Sequence, residues 1–353
     1  MPFSRRRFLR HLSAGLAALG AQGTARAAGS PLPPHPRSDH FDGEHFFNPS
    51  GRQPRGFRDL LKWQLSRRKA VWPAWVENPA RPALPATLGA RECAVTFVGH
   101  ATFLLQFDGL NILTDPIWSD RCSPVTWAGP KRVHAPGIAF EALPRIDVVL
   151  LSHNHYDHLD LPTLRRLHAA HRPLIITTLG NKPFLAGENI DHVVELDWWE
   201  SHEPRPGVKV TVTPAQHFAA RGFGDRFKTL WGGFAVQTPA GKLWFAGDTG
   251  YFDGFKVIGE KLGPFDLGLI PIGAYEPRWF MEPVHCTPAE SLLIHREVRA
   301  RHSIAMHFGC FPLADDDYAQ PVADFHAAYP KSGLAPGEFV LPSVGETRTL
   351  RFG

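Results

Sequence analysis

The chain has 353 residues, 43% of them hydrophobic and 20% charged, with a formal charge of +4. That length buries one large core or two smaller ones, and the composition excludes a fibrous or disordered chain. Residues 1–27 hold five arginines and no acid, so the rest of the chain stands at −1, which excludes a basic nucleic-acid-binding surface.

Taken in chain order, "SRRRFLR" (residues 4–10) precedes a short apolar run and the tripeptide "ARA" ending at Ala27. A basic start, an apolar middle and an A-x-A site predict an export signal over residues 1–27. The paired arginines before Phe-Leu resemble a twin-arginine signal, so a periplasmic location is expected. Residues 28–90 follow as a Pro- and Ser-rich leader to residue 40 and then an aromatic arm. Within the arm, residues 59–76 mix Trp63, Trp72 and Trp75 with Arg67, Arg68 and Lys69. Such a segment suits either packing on the fold or peripheral contact with an anionic membrane.

Regular text begins near residue 91 and continues to residue 353 as the main domain. Residues 93–107 and 110–116 predict paired strands around the turn Asp108-Gly109. Four later apolar runs, "IDVVLLS", "VKVTVTPAQ", "KLWFAG" and "HSIAM", predict buried strands, and each is followed at once by His153, His217, Asp248 or His307. Ligands in α/β folds collect at strand ends. Between them, "LPTLRRLHAAH" predicts a helix capped by Asp160, and "TPAESLLIHREVRAR" opens with a Thr287-x-x-Glu290 capping box. The cysteines, Cys93, Cys122, Cys286 and Cys310, are widely spaced and match no zinc ribbon; unpaired buried thiols are expected.

The chemistry concentrates in "LLSHNHYDHLD", residues 150–160. One metal needs three or four protein ligands. His153, His155, Asp157 and His158, with His217, Asp248 and His307, make seven, enough for two metals. The expected assignment is His153, His155 and His217 to the first, Asp157, His158 and His307 to the second, with Asp248 bridging. A water between two such cations becomes hydroxide near neutral pH. His100 and Asp115 each follow a strand and are expected to orient ligands from behind. Tyr156 and Tyr275 are candidate donors to a bound phosphate. "ELDWWE" (residues 195–200) reads as strand and turn without chemistry.

"SHNHYDHLD", "TPAQH", "FAGDTGY" and "AMHFG" together resemble the metallo-β-lactamase fold, which implies an α/β fold, an αββα sandwich of two mixed sheets flanked by helices. "VGHATFLL", "LTDPIWSDRCSP", "GPKR", "ELDWWE", "GPFDLGLIPIGAYEPRWFM" and "MHFGCFPLADDDY" resemble more narrowly the phospholipases D that hydrolyse N-acyl-phosphatidylethanolamine, over roughly residues 91–345. That resemblance implies a dinuclear zinc phosphodiesterase releasing phosphatidic acid and an N-acylethanolamine. It also implies that His285, in the segment after "EPRWFM", sits near the substrate phosphate, where with Asp248 it would serve catalysis. Residues 218–228 depart from the family in detail. A His and carboxylate set also admits iron or manganese. A homodimer is compatible with the resemblance, and the residues leave the oligomeric state open. Two other readings stay open at this point: a lactonase or other ester or amide hydrolase on the same metals, and a non-enzymatic, metal-stabilised lipid-binding protein.

Overall fold

The computed structural model describes residues 35–353, except 68, 69, 108 and 223. The expected export signal, Arg68, Lys69 and Asp108 therefore lie outside the described residues. In chain order the strands are β1 (Glu92–Gly99), β2 (Thr102–Phe107), β3 (Leu110–Thr114), β4 (Val148–Leu151), β5 (Leu174–Thr178), β6 (Val193–Leu196), β7 (Ser201–Arg205), β8 (Val208–Thr213), β9 (Gly233–Gln237), β10 (Lys242–Phe245), β11 (Phe265–Pro271), β12 (Ala300–Met306), β13 (Phe339–Val340) and β14 (Thr347–Arg351). The helices are α1 (Phe57–Ser66), α2 (Leu161–His171), α3 (Asn181–Gly187), α4 (Gly254–Lys261), α5 (Arg278–Met281), α6 (Pro288–Glu297) and α7 (Gln320–Ala328).

The strands form two seven-stranded sheets, ordered β14-β1-β2-β3-β4-β5-β6 and β13-β12-β11-β10-β9-β8-β7. Each is mixed. Neighbours from β14 to β3 are antiparallel and those from β3 to β6 parallel. In the second sheet, β10 to β13 are parallel and β7 to β10 antiparallel. Phe107 pairs with Leu110 across the expected tight turn, where Gly109 has φ +62°.

Two-residue periodicity explains the layering. In β4, Val148 and Leu150 join one core with Phe103, Leu105, Val212, Phe234, Phe245 and Met306, the layer between the sheets. The alternate residues Val149 and Leu151 join a second core with Leu164 and Leu167 of α2 and Leu185 of α3. A strand apolar on both faces must be covered on both, which yields helix, sheet, sheet, helix. Each buried Leu or Val contributes roughly 1.5–3 kcal/mol of apolar transfer. The capping box of α6 forms as expected: Thr287 Oγ1 accepts from Glu290 N, and Glu290 accepts from Thr287 N.

Two expectations change. Asp160 precedes α2 but makes no cap bond to it. Its buried carboxylate accepts from Trp118 N, Ser119 N, Ser119 Oγ and Thr163 Oγ1, holding the loop after β3. The end of the leader is docked: His40 is 5% exposed, stacked on Trp198 at 4.3 Å between Asp39 and Asp197. "ELDWWE" is therefore the arm's anchorage. The arm continues across the fold, with Asn48 Nδ2 donating to His217 O at 2.9 Å. Of the two outcomes expected for residues 59–76, Arg67 shows packing on the fold: it pairs with Asp315 at 3.0 Å and donates to Ala314 O. The four cysteines are buried and unpaired.

Candidate metal centre

Seven side chains converge at the open ends of the strands. The loop after β4 brings His153, His155, Asp157 and His158 from the first sheet. The ends of β8, β10 and β12 bring His217, Asp248 and His307 from the second. The backbone is forced to turn sharply at these ends. His100, Asp115 and His307 follow β1, β3 and β12 directly and have φ +58°, +32° and +61°, a region non-glycine residues rarely occupy. Gly247, before Asp248, has φ +61°, and a Cβ there would lie 2.7 Å from Gly232 O. Only glycine lets that turn lie so close to the neighbouring chain.

In the first set, His153 Nε2 lies 2.8 Å and His217 Nε2 3.2 Å from His155 Nδ1. Around a four-coordinate zinc, nitrogens about 2.0–2.1 Å from the metal stand about 3.3 Å apart. The hydrogen bonds behind the rings settle which nitrogens carry lone pairs. Ser152 Oγ donates to Asp115 Oδ2 at 2.6 Å, a carboxylate that can only accept. His153 Nδ1 must then donate to Ser152 Oγ, leaving His153 Nε2 bare. His217 Nδ1 donates to Val284 O, which leaves its Nε2 bare as well. Burial holds His153 well below the usual imidazole pKa, His155 down to about 3 and His217 down to about 4, so all three are neutral donors.

The second set differs in charge. His158 Nε2 stands 3.3 Å from Asp157 Oδ2 and 3.2 Å from Asp248 Oδ2. His307 Nε2 stands 3.3 and 3.1 Å from the same oxygens. His158 Nδ1 donates to Asp115 Oδ2 at 2.6 Å, so its Nε2 lone pair faces two carboxylates. A proton or a cation must stand between them. Burial opposes charge on these rings, but Asp248, Asp157 and Asp115 hold His158 well above the usual pKa, and Asp248 and Asp157 raise His307 to about 9. Burial likewise opposes the two carboxylate charges, yet His158 above all keeps Asp157 and Asp248 well below the usual range. Among the described residues, the ion pairs of Asp115, Asp157 and Asp248 are all with histidines. This donor set fits divalent cations, which would displace protons on binding.

Asp248 Oδ2 is also 3.7 Å from His217 Nε2, so one oxygen faces both sets. His100 Nε2 bonds Asp157 Oδ2 at 2.9 Å, and Asp115 backs His158; both stand behind the donors. His285 lies beside them, its Nδ1 4.0 Å from Asp248 Oδ2 and without a hydrogen-bond partner. Tyr275 does not join them: it is buried, and its hydroxyl bonds Asp324 at 2.5 Å on α7. Tyr156 sits half-buried at the rim with its ring under the Arg221 guanidinium. Ser152 and Arg221 escaped the sequence reading. Ser152 directly precedes the histidine cluster, but serine in that place carries no distinctive signal.

Comparisons with known proteins bear on the family and the fold. Residues 110–308 match the family model described as a beta-lactamase superfamily domain. The "N-acyl-phosphatidylethanolamine-hydrolyzing phospholipase D 1" of Caenorhabditis elegans is 44% identical over 63% of this chain and 65% of its own length. A "UPF0173 metal-dependent hydrolase" of Rubrobacter xylanophilus is 33% identical over 62% of this chain and 83% of its own. Among solved structures, a metallo hydrolase from the archaeon Ignicoccus hospitalis aligns with a TM-score of 0.55 at 22% identity, covering 74% of this chain and all of that one. The chain belongs to the beta-lactamase superfamily and has the metallo-β-lactamase fold.

Proposed function

We propose that the chain is a dinuclear zinc phosphodiesterase of phospholipase D type, which hydrolyses N-acyl-phosphatidylethanolamine to an N-acylethanolamine and phosphatidic acid. The observation that carries this reading is the pair of donor sets facing one another across Asp248. The named activity of the nematode relative supports the substrate class. Two zinc ions bound there supply Lewis acidity at the diester phosphate and bring the pKa of water near neutrality.

The chain's own residues do the rest. His153, His155 and His217 would hold one ion and Asp157, His158 and His307 the other, with Asp248 shared between them. Burial keeps His285 neutral, so it offers a phosphate oxygen one N–H without a standing charge. An apolar cluster of Trp63, Ala274, Met281, Val284 and Ala314, with Phe218, Phe280 and Leu313 packed against it, suits acyl chains. It begins at the donors, since the Phe218 ring is 4.6 Å from that of His155. Trp63 belongs to α1, whose other face exposes Phe57, Leu61 and Leu65, a surface suited to peripheral membrane contact. Among the described residues no helix is long and apolar enough to cross a membrane. Export by the twin-arginine-type signal would place this activity in the periplasm.

The test is one incubation. Zinc-replete protein of measured metal content is given N-acyl-phosphatidylethanolamine, and the products are identified by mass and phosphorus resonance. The expected result is conversion of diester to monoester with release of N-acylethanolamine. Absence of both products overturns the substrate assignment. An untouched diester with cleavage of a lactone would favour the other hydrolase reading.

A further inference from the structure

We infer that Arg221 is a positioning residue for the first donor set, clamping the loop that carries His155. Arg221 lies four residues beyond His217, in the loop leaving the second sheet. One guanidinium nitrogen, Nη1, donates to Asn154 O at 2.9 Å and to Leu159 O at 2.8 Å. Those carbonyls flank the segment that holds His155, Asp157 and His158. The guanidinium also lies 4.0 Å from the centre of the Tyr156 ring and 5.2 Å from that of Phe184. Its own backbone is fixed: the Asp225 carboxylate accepts from Arg221 N and Gly222 N. No carboxylate forms an ion pair with this guanidinium among the described residues, so its cation serves two loop carbonyls and an aromatic face.

Four other donors have hydrogen-bonded support of their own. Ser152 backs His153, Val284 O backs His217, Asp115 backs His158 and His100 backs Asp157. His307 is 2% exposed, with the His100 ring at 4.1 Å and the His285 ring at 5.3 Å. His155 is half-buried, and no hydrogen bond fixes its Nε2 among the described residues. Its direction rests on the loop backbone and Phe218, and the loop rests on Arg221. The clamp also ties the first-sheet donors to the strand end that bears His217, so the distance across the first set depends on it. Loss of such a supporting group typically costs roughly 10–100-fold in metal affinity.

This inference rests on the two-metal reading. Its test compares parent, R221K and R221A as full-length, zinc-loaded proteins titrated with a chelator, with metal content and thermal unfolding measured. Cobalt-substituted samples report ligand geometry by their visible absorption. The expected result is that R221A releases its first zinc at roughly 10–100-fold lower chelator strength, keeps its second, and shows an altered cobalt spectrum. R221K should fall between, and guanidinium ion should restore part of the R221A loss. Unchanged zinc release and cobalt spectra in both variants overturn the clamp, even if activity falls, because Arg221 would then act on substrate. Should R221A fail to fold, R221K decides by the same criteria. A parent that binds no divalent metal overturns the two-metal reading and the clamp with it, whereas a two-zinc parent with indifferent variants overturns the clamp alone.

Discussion

His153, His155 and His217 are neutral imidazoles whose lone pairs meet within 3.2 Å, whereas the two carboxylates of Asp157 and Asp248 crowd against the His158 and His307 rings, which carry protons in the absence of a cation. The first set offers a cation lone pairs and little charge. The second offers the charges of Asp157 and Asp248, with Asp115 behind His158. The same fold edge thus presents a soft, weakly compensated position and a strongly anionic one. The second is expected to fill first and to release its ion last.

The substitution that breaks both positions is Asp248→Asn, because one oxygen of Asp248 faces both sets. It keeps the shape and removes the charge. Expected are loss of one bound metal by elemental analysis and a fall in hydrolysis of more than about 100-fold, beyond what supporting groups typically cause. Retained stoichiometry and rate would mean that Asp248 is not shared.

The comparison is sharpened by removing the supports of the donors in turn. Asp115→Asn removes the carboxylate that fixes the His158 tautomer at 2.6 Å. Its expected cost is roughly 10–100-fold in the affinity of the second position, with a smaller loss at the first, which Asp115 supports only through Ser152. Ser152→Ala removes a hydroxyl from His153 in the first set, and a smaller loss is expected there. Isothermal titration of apoprotein with zinc resolves the two steps, and equal losses at both would refute the division. Gly273→Ala tests the second set through the backbone: the added methyl would overlap His307 O. Expected is a loss of roughly 1–3 kcal/mol in denaturant unfolding, with the second position weakened more than the first.

Within each set, the donors also differ in how far the sequence disclosed them. The H-x-H-x-D-H cluster is local, so period-two geometry and ligand chemistry expose it directly. His217, Asp248 and His307 were legible because each follows an apolar run at a strand end, although nothing local says they meet. The layered fold was likewise readable from runs such as Val148–Leu151, apolar on both faces. What stayed hidden depends on long-range contact. Tyr275 looked like a phosphate donor until Asp324, on a helix 49 positions away, took its hydroxyl. Asp160 looked like a cap, yet four donors from outside the helix backbone hold it. Arg221 carried no signal, since an arginine gripping carbonyls reads like any loop arginine.

The smallest expected effect tests whether the arm serves only the first position. The arm reaches the centre through Asn48, which donates to the backbone of His217, and is held further back by His40. Burial opposes a charge on His40, but hydrogen bonds to Asp197 and Asp39 outweigh it and raise its pKa above 6.5. Its contribution to stability is therefore complete below pH 6.5 and is lost as pH rises through the higher folded-state value. Asp39 is largely exposed, so most of the effect belongs to Asp197. Asp197→Asn should cost about 1 kcal/mol at pH 6 and progressively less at higher pH, measured by denaturant unfolding at matched ionic strength. If the arm acts only through His217, zinc release from the first position should shift with this variant while the second stays fixed. A pH-independent cost would show that His40 is held by its stacking on Trp198 and not by its charge.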